Sequence, residues 1–314
     1  MTRTSVALNE RLRPLLGDTL PAWVEPRWFA DGDALLEIAP IVEIGWFDTF
    51  DFHHTLEAYT KAENACWLNT MAAGVEGFPL DLMRERGVIF TNGAKLNARP
   101  IAEYVLMGML SVAKGYREVV RAQDRREWLE KPPGRGQIEG AQGLVLGAGG
   151  IGSRVAELLR ALGAKVTEAR RTPAPGVLGE HEWRGKLGEF DWIVVAVPAT
   201  SATDKMLGAA EFAAMKPGAS IINIARGAVI DQDALLAALD AGSVGAAFLD
   251  VTDPEPLPAD HPLWVHPGVQ ISMHLSGQSQ DSLYRLAAGR FLENLSRWHD
   301  GVPLDSVVDL EKGY

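Results

Sequence analysis

The sequence contains a single cysteine, Cys66, so no disulfide bond can form within the chain. A chain without disulfides fits a reducing compartment, and 314 residues are enough to bury the cores of about two domains. Cys66 itself is expected to be a small buried residue. No spacing of cysteines and histidines typical of zinc ligands occurs either, so no metal site is predicted.

Long apolar runs and excess positive charge are also lacking. No stretch approaches the roughly 20 apolar residues that span a bilayer, and the N-terminus has no apolar run of signal-peptide length. We therefore expect a cytoplasmic protein. Its 30 lysines and arginines against 41 acidic residues give a net charge of -11, which argues against nucleic acid or an anionic membrane as the main partner. A small anionic ligand would need basic residues concentrated at one site.

The composition is that of a globular α/β protein, with 47% hydrophobic residues, 23% charged residues and 32 glycines. Early in the chain, short apolar runs alternate with segments of helical spacing, which predicts a parallel sheet with helices on its faces. These runs are residues 5–8, 40–46, 66–70 and 87–92. A helix over 97–120, with Asn97 as N-cap, is apolar on nearly every side and is expected between two domains or two subunits. Residues 130–143, rich in proline and glycine, predict a linker.

The second part of the chain has the strand pattern of a dinucleotide-binding domain. Its six strand candidates are residues 144–146, 165–169, 192–197, 220–223, 245–251 and 269–273, with helices at 150–162 and 231–241. A last helix, over 280–299, has no strand left to follow and is expected to pack on the first domain. The sequence thus predicts an α/β fold of two Rossmann-like, doubly wound parallel-sheet domains with a cleft between them.

A glycine motif joins the first of these strands to its helix. Gly147, Gly149 and Gly152 form G-x-G-x-x-G, in which the glycines allow a tight turn, close approach of a pyrophosphate and close helix packing. The helix N-terminus adds free N–H groups and positive potential for phosphates. The motif predicts that Gly147, Gly149, Gly150, Ile151 and Gly152 bind a dinucleotide; the alternative is a glycine-rich turn without a ligand.

The end of the next strand indicates which dinucleotide binds. An acidic residue there would accept hydrogen bonds from the ribose of NAD, whereas an arginine accommodates the 2′-phosphate of NADP. By spacing this position is near Arg170, followed by Arg171 and Thr172, and two guanidinium groups with a hydroxyl suit a phosphate. The alternative is that Glu168 binds the ribose and the arginines are solvated. We predict that NADP(H) is preferred and that NAD(H) is possible.

Polar residues follow the later strands as well. Arg226 comes after one strand, Asp250 and Glu255 after the next, and His274 after the last. Because ligands of such folds bind beyond the carboxyl ends of the strands, these side chains are expected to share one site. Taken singly, each has a structural alternative: a surface ion pair for Arg226, a stiff acidic turn for Glu255 and a structural role for His274.

Together with the glycine loop, these stretches resemble the D-isomer-specific 2-hydroxyacid dehydrogenase family, and in particular its glyoxylate/hydroxypyruvate reductase-like members. The resemblance covers essentially the whole chain and includes "AAGVEGF" at 72–78, "NARPIAEYVL" at 97–106 and "LPADHPLW" at 257–264. It implies a homodimer whose flavodoxin-like substrate domain is formed by 1–98 with 281–314 and whose dinucleotide-binding domain is formed by 99–280.

The resemblance also implies the chemistry, an NAD(P)H-dependent reduction of a 2-oxo acid to a D-2-hydroxy acid. Arg226 would hold the substrate carboxylate and polarise its carbonyl, His274 would donate the proton, and Glu255 would partner the histidine. A carboxylate favours the protonated imidazole, and an arginine fits a carboxylate through two N–H groups. Substrate contacts are predicted for Trp46, Gly74, Val75 and Arg226, and further cofactor contacts for Val197, Pro198, Ala225 and Asp250.

Several alternatives stay open. Trp46 is equally suited to the core. The structural alternative for Asp250 is to cap a helix or a turn. The substrate is of the glyoxylate or hydroxypyruvate type, or bulkier. Met273 stands where the family commonly has proline, and Thr252 where it commonly has an aromatic residue. A catalytically silent dinucleotide sensor, similar to a corepressor, is the alternative from another class, and a formate or phosphite dehydrogenase is the alternative within the fold.

Overall fold

The computed structural model describes residues 3–49, 51–75, 77–172, 174–278 and 280–313. They form two compact units, one comprising Met1–Asn97 with Ser279–Tyr314 and the other Ala98–Gln278. The assignment of a substrate domain and a dinucleotide-binding domain to them stays a prediction.

The described part of the chain contains twelve strands and ten α-helices. The strands are β1 (Thr4–Asn9), β2 (Val24–Phe29), β3 (Ile44–Trp46), β4 (Trp67–Asn69), β5 (Ile89–Thr91), β6 (Gln142–Leu146), β7 (Lys165–Ala169), β8 (Val177–Leu178), β9 (Trp192–Val195), β10 (Ala219–Asn223), β11 (Val244–Leu249) and β12 (Val269–Ile271). The helices are α1 (Arg13–Leu16), α2 (Gly32–Ile38), α3 (Phe52–Lys61), α4 (Leu80–Glu85), α5 (Ala98–Lys114), α6 (Tyr116–Asp124), α7 (Gly150–Ala161), α8 (Ala209–Ala214), α9 (Gln232–Asp240) and α10 (Gln280–His299).

The first unit is built on a five-stranded parallel sheet in the order β2-β1-β3-β4-β5. Its C-terminal helix α10 packs aromatic residues against this sheet. The ring of Phe291 stacks on Trp67 at a centroid distance of 5.0 Å and contacts Trp46 at 5.1 Å. Because large rings bury much apolar surface, these contacts stabilise the attachment of the helix.

The second unit is built on a seven-stranded parallel sheet in the order β12-β11-β10-β9-β6-β7-β8. Successive residues of β6 point to opposite faces, so Leu144 and Leu146 join one buried cluster while Val145 joins another with Val155 and Leu159 of α7. Both faces of the sheet are therefore covered, as a parallel sheet requires. The strand order reverses between β6 and β9, and this reversal marks the crevice where ligands of doubly wound folds bind.

The predicted fold class, two α/β units with parallel sheets, is confirmed. All six strands expected in the second unit are present. Two strands were missed: β2, an edge strand that contains Pro26 and charged residues, and the two-residue β8.

Two other expectations were wrong. The helix expected over 97–120 is interrupted at Gly115, which adopts a φ of 63° and separates α5 from α6. A left-handed residue cannot continue a right-handed helix, and glycine takes this conformation without steric cost. Cys66 is exposed rather than buried.

Candidate active site

The loop between β6 and α7 contains two glycines that the protein itself requires. Gly147 has a φ of 102°, and a Cβ atom there would lie 2.4 Å from the carbonyl oxygen of Ala196. A Cβ atom on Gly152 would lie 2.0 Å from the carbonyl oxygen of Gly147. Any larger residue at either position would force the backbone apart, so this tight turn between strand and helix needs glycine.

The middle glycine of the motif is different. A Cβ atom on Gly149 would meet no described atom within 4 Å, so the protein provides open space there at the start of the 12-residue helix α7. The first N–H groups of a helix lack partners within the helix and favour anions. Open space at the Cβ position of Gly149, next to the start of this helix, is compatible with the close approach of a pyrophosphate, and Gly150 and Ile151 belong to the first turn. Val197 and Pro198 follow β9, next to Ala196 and the turn.

The segment that contains the two arginines predicted to bind a phosphate begins next to this loop. The carbonyl oxygen of Ala169, the last residue of β7, accepts hydrogen bonds from the N–H groups of Gly147 and Ala148 at 2.8 and 3.0 Å. Arg170 follows directly, and its Nε donates to the carbonyl oxygen of Thr172 at 2.7 Å. Arg170, Arg171 and Thr172 are all exposed. A basic segment thus borders the glycine loop, as the 2′-phosphate prediction requires.

The alternative ribose ligand, Glu168, is already engaged. One carboxylate oxygen accepts from Nη2 of Arg160 and the other from Oγ of Ser153, each at 2.9 Å. The side chain is only 13% exposed. Because both oxygens bind residues of α7, these contacts favour the arginines over Glu168 as the residues that distinguish the two cofactors.

Arg226 lies in the loop that follows β10. Asn223 shapes this loop, since its Nδ2 donates to the carbonyl oxygen of Arg226 at 3.0 Å and its Oδ1 accepts from the N–H of Ala225 at 3.0 Å. A Cβ atom on Gly227 would lie 2.0 Å from the carbonyl carbon of Thr252. The absence of a side chain at Gly227 therefore lets the loop after β10 pack directly on the loop after β11.

Asp250 holds the loop that follows β12. Its carboxylate, 2% exposed, accepts hydrogen bonds from Oγ of Ser272 at 2.7 Å and from the N–H of Leu275 at 3.0 Å, and it also accepts from Oγ of Ser276. The N–H of His274 donates to the carbonyl oxygen of Asp250 at 2.5 Å. Because several donors of the loop after β12 bind one buried carboxylate, Asp250 fixes the conformation of the loop that carries His274. These contacts support the alternative of a turn-capping role.

Glu255 and His274 are in direct contact. Nδ1 of the histidine lies 2.7 Å from Oε2 of Glu255, whose Oε1 accepts from the N–H of Thr252 at 3.1 Å. The two side chains are 47% and 37% exposed. Nε2 of His274 has no hydrogen-bond partner within the described residues. A carboxylate at Nδ1 fixes the orientation of the ring and leaves Nε2 for a ligand.

The loops after β6, β10, β11 and β12 lie at one edge of the sheet, because the carboxyl ends of parallel strands share an edge. The chain is also similar to known proteins. Residues 106–276 match the family profile of the D-isomer specific 2-hydroxyacid dehydrogenase NAD binding domain. The chain belongs to this family. The prediction of an NAD(P)-dependent oxidoreductase is thereby confirmed.

Relatives in the D-isomer specific 2-hydroxyacid dehydrogenase family extend the match beyond this segment. Glyoxylate/hydroxypyruvate reductase B of Pectobacterium atrosepticum is 33% identical over 236 residues, which cover 70% of this chain and 72% of that protein. The crystal structure of a family protein from Aeromonas salmonicida has a TM-score of 0.85 at 29% identity and covers 99% of this chain and all of that one (100%). A family structure from Xanthobacter autotrophicus, in complex with NADPH and MES, has a TM-score of 0.81 at 28% identity, with 100% of both chains covered.

One departure from the family pattern has a backbone cause. Met273 and His274 both have a φ of 57°. Proline is locked near −65°, so a proline at position 273 is incompatible with this loop conformation. Positive φ at two successive non-glycine residues is strained and often marks a functional site. Thr252, the second departure, is buried and donates to the carbonyl oxygen of Pro254 at 3.0 Å.

The predicted substrate contacts Trp46, Gly74 and Val75 belong to the first unit. The N–H groups of Gly74 and Val75 have no acceptor in the part of the chain that the structure describes. Glu76, within the predicted substrate loop, lies outside that part. Trp46 is 1% exposed, contacts Phe291 and donates from Nε1 to Asp48 at 2.8 Å, which favours a core role.

Sequence reasoning missed the residues that support the site. Ser272 and Ser276 flank the histidine by two residues on either side and bind Asp250; only this symmetric spacing hinted at them. Over residues 3–49, 51–75, 77–172, 174–278 and 280–313, no cluster of three potential metal ligands occurs. None of the helices described is long and apolar enough to cross a membrane.

Proposed function

We propose that the protein reduces a 2-oxo acid to a D-2-hydroxy acid, with NADPH as the preferred cofactor. The observation that carries this proposal is the 2.7 Å pair of His274 and Glu255, held in a loop anchored by Asp250. It lies at the sheet edge where the loops of Arg226 and the dinucleotide motif also begin. An acid, an arginine and a dinucleotide site at one edge are the groups that carbonyl reduction requires.

In this proposal His274 is the proton donor. Reduction of a 2-oxo acid needs hydride at C2 and a proton on the carbonyl oxygen, and the reduced nicotinamide supplies the hydride when it is bound. Nε2 of His274 would hold the proton, and Glu255 would orient the ring through Nδ1 and stabilise the imidazolium. Arg226 would bind the carboxylate through two N–H groups and polarise the carbonyl.

The cofactor would be held mainly by backbone groups of the glycine loop and by the arginine segment. Open space at Gly149 fits a pyrophosphate, and Arg170 and Arg171 suit a 2′-phosphate. The family structure from Xanthobacter autotrophicus, a complex with NADPH, supports this preference. The proposed set is Gly147, Gly149, Gly150, Ile151, Gly152, Arg170, Arg171, Thr172, Val197, Pro198, Ala225 and Asp250.

The substrate is proposed to be a small 2-oxo acid or a bulkier one. The relative from Pectobacterium atrosepticum, a glyoxylate/hydroxypyruvate reductase, supports the small class. The ring of Phe52, 52% exposed, packs edge-on against Phe78 at a centroid distance of 5.9 Å and supports an aromatic side chain. Gly74 and Val75 are proposed to bind the carboxylate through their N–H groups.

The direct test is turnover. We expect NADPH oxidation, followed by nicotinamide absorbance, with at least one of glyoxylate, hydroxypyruvate, pyruvate and phenylpyruvate. The best substrate would distinguish the small class from the aromatic one. Tight NADPH binding without turnover on this panel would contradict the reductase proposal and favour the dinucleotide sensor. Turnover of formate or phosphite instead would favour the alternative within the same fold.

The cofactor preference has its own test. We expect Arg170→Asp combined with Arg171→Ala to weaken NADPH binding by about 100-fold and NADH binding far less, because charge-assisted bonds to the 2′-phosphate are lost and an added carboxylate repels it. Titration of each cofactor by nicotinamide fluorescence measures both dissociation constants.

The matched control for this test is Glu168→Gln. Because Glu168 binds Ser153 and Arg160, the substitution is expected to leave the ratio of the two cofactor affinities unchanged. If Glu168→Gln weakens NADH selectively, or if the double arginine variant loses both cofactors equally, the phosphate assignment is wrong.

A homodimer is also proposed. Large apolar side chains on α5 and α6 remain exposed in the single chain, and exposed apolar surface often marks a subunit interface. They are Met107, Leu110, Tyr116, Val119 and Val120. Trp128, beyond α6, is 95% exposed.

A further inference from the structure

A carboxylate in the first unit has no role in the proposed chemistry, yet the protein supplies it with three donors. Asp48 follows β3 and lies half-buried beside a small cavity of about 60 Å³. Its Oδ2 accepts from Nε1 of Trp46 at 2.8 Å and from the N–H of Met71 at 2.6 Å, and its Oδ1 accepts from Oγ1 of Thr70 at 2.7 Å. Burial raises the pKa of Asp48 above its usual value, and the same three hydrogen bonds oppose that rise.

Two of these donors belong to the loop of residues 70–75, which follows β4. The hydroxyl of Thr70 donates to Asp48 and also accepts from the N–H of Ala72 at 3.1 Å. Asp48 thus fixes Met71 directly and Ala72 through Thr70. Thr70 is 1% exposed, so water does not readily replace this hydroxyl as a partner.

The same loop is held from its other side by residues after β5. Nδ2 of Asn92 donates to the carbonyl oxygen of Ala73 at 2.8 Å, and the N–H of Gly93 donates to that of Ala72 at 2.7 Å. A Cβ atom on Gly93 would lie 1.9 Å from the carbonyl oxygen of Met71. The backbone of residues 71–73 is therefore fixed on one side by Asp48 and on the other by the chain after β5.

The fixed segment ends where the available N–H groups begin. Gly74 and Val75 come directly after Ala73, and their N–H groups find no acceptor among the residues described. Because each peptide unit is planar, the N–H of Gly74 points opposite to the carbonyl oxygen of Ala73, and the backbone conformation of residues 71–73 sets the direction of that unit. By fixing residues 71 and 72, Asp48 therefore also influences the direction in which the N–H groups of Gly74 and Val75 face a bound anion.

We propose that Asp48 is a positioning residue, which through Thr70 and Met71 orients the N–H groups of Gly74 and Val75 toward the substrate carboxylate. This inference rests on the proposed function, because it assigns Asp48 to the binding of the 2-oxo acid. It also gives Trp46 a role within the core, because Trp46 donates to Asp48 and so acts on the substrate loop through that carboxylate. Asp48 itself does not touch the substrate.

The test uses substitutions that alter the hydrogen bonds and keep the volume. In Asp48→Asn one oxygen becomes an NH₂ group and the negative charge of the acceptor is lost. Either the NH₂ group faces the donors Met71 N–H and Trp46 Nε1, or it faces Thr70, whose hydroxyl can then no longer donate to residue 48. Thr70→Val removes the link to Ala72, whereas Thr70→Ser keeps it. We expect Asp48→Asn and Thr70→Val to raise the KM for the 2-oxo acid about tenfold with a smaller change in kcat, and Thr70→Ser to stay near the wild type.

Two readouts distinguish positioning from a merely structural effect. The dissociation constant for NADPH is expected to stay unchanged in all three variants, and hydrogen exchange in a peptide covering residues 70–75 is expected to accelerate only in Asp48→Asn and Thr70→Val. Leu35→Val, which shortens a fully buried side chain on α2, serves as a control that lowers the melting temperature without raising KM.

The outcomes separate this inference from the proposed function. If the wild type turns over a 2-oxo acid but Thr70→Val keeps its KM, or raises it no more than Leu35→Val does, Asp48 is structural and the proposal is wrong. The threonine pair decides this even if Asp48→Asn does not fold. If the wild type reduces no 2-oxo acid, the proposed function fails, and the assignment of Asp48 fails with it.

Discussion

His274→Ala is expected to lower kcat by about 100- to 10,000-fold, the range that a positioned general acid contributes. The substitution removes the only group for which we propose a proton transfer. Asp250 would still bind Ser272, Leu275 and Ser276, so the loop keeps its anchors. NADPH binding is therefore expected to stay close to that of the wild type. Steady-state kinetics and a fluorescence titration of the cofactor measure both effects.

A second histidine provides the control. His266 lies in the same unit and also pairs with a carboxylate, Nε2 being 3.4 Å from Asp240, while its Nδ1 accepts from the N–H of Gly268 at 3.1 Å. His266→Ala is expected to lower the melting temperature and to leave kcat nearly unchanged. If His274→Ala behaves in the same way, or if it abolishes cofactor binding together with turnover, the histidine supports the fold and is not the acid.

The sequence predicted the parts of this protein that depend on local pattern. Continuous apolar runs such as Trp192–Val195 are typical of strands buried on both faces. In the second unit, all six strands that were expected from such runs are present. The glycine motif was equally clear, because Gly147 and Gly152 meet backbone atoms that only a glycine tolerates. The direct contact of Glu255 and His274 agrees with the expectation that carboxyl ends of neighbouring strands share an edge.

What the sequence did not reveal depends on contacts distant along the chain. Asp48 binds the N–H of Met71, which lies 23 positions away, and no spacing rule connects them. A tryptophan at position 46 looks the same in the sequence whether it faces a substrate or the core. The hydrogen bond of Trp46 to Asp48 and its contact with Phe291 favour the core. Gly115 interrupts the helix whereas Gly108 stays within α5, and both are glycines in the sequence. A glycine interrupts a helix only where tertiary packing requires a positive φ, which the sequence does not show.

Arg226→Lys is expected to lower kcat/KM for the 2-oxo acid by about 100-fold, because an ammonium group cannot reproduce the planar, two-point contact with a carboxylate. The loop that carries residue 226 is held by Asn223 and by the contact of Gly227 with Thr252, so the substitution is expected to leave the backbone of the loop unchanged. Arg117→Lys is the matched control, since Arg117 donates from Nη2 to the carbonyl oxygen of Trp264 at 3.0 Å and has no proposed role in the site. It is expected to reduce stability alone. Equal kinetics for the two lysine variants would remove Arg226 from the substrate site and leave carboxylate recognition to the N–H groups of the first unit.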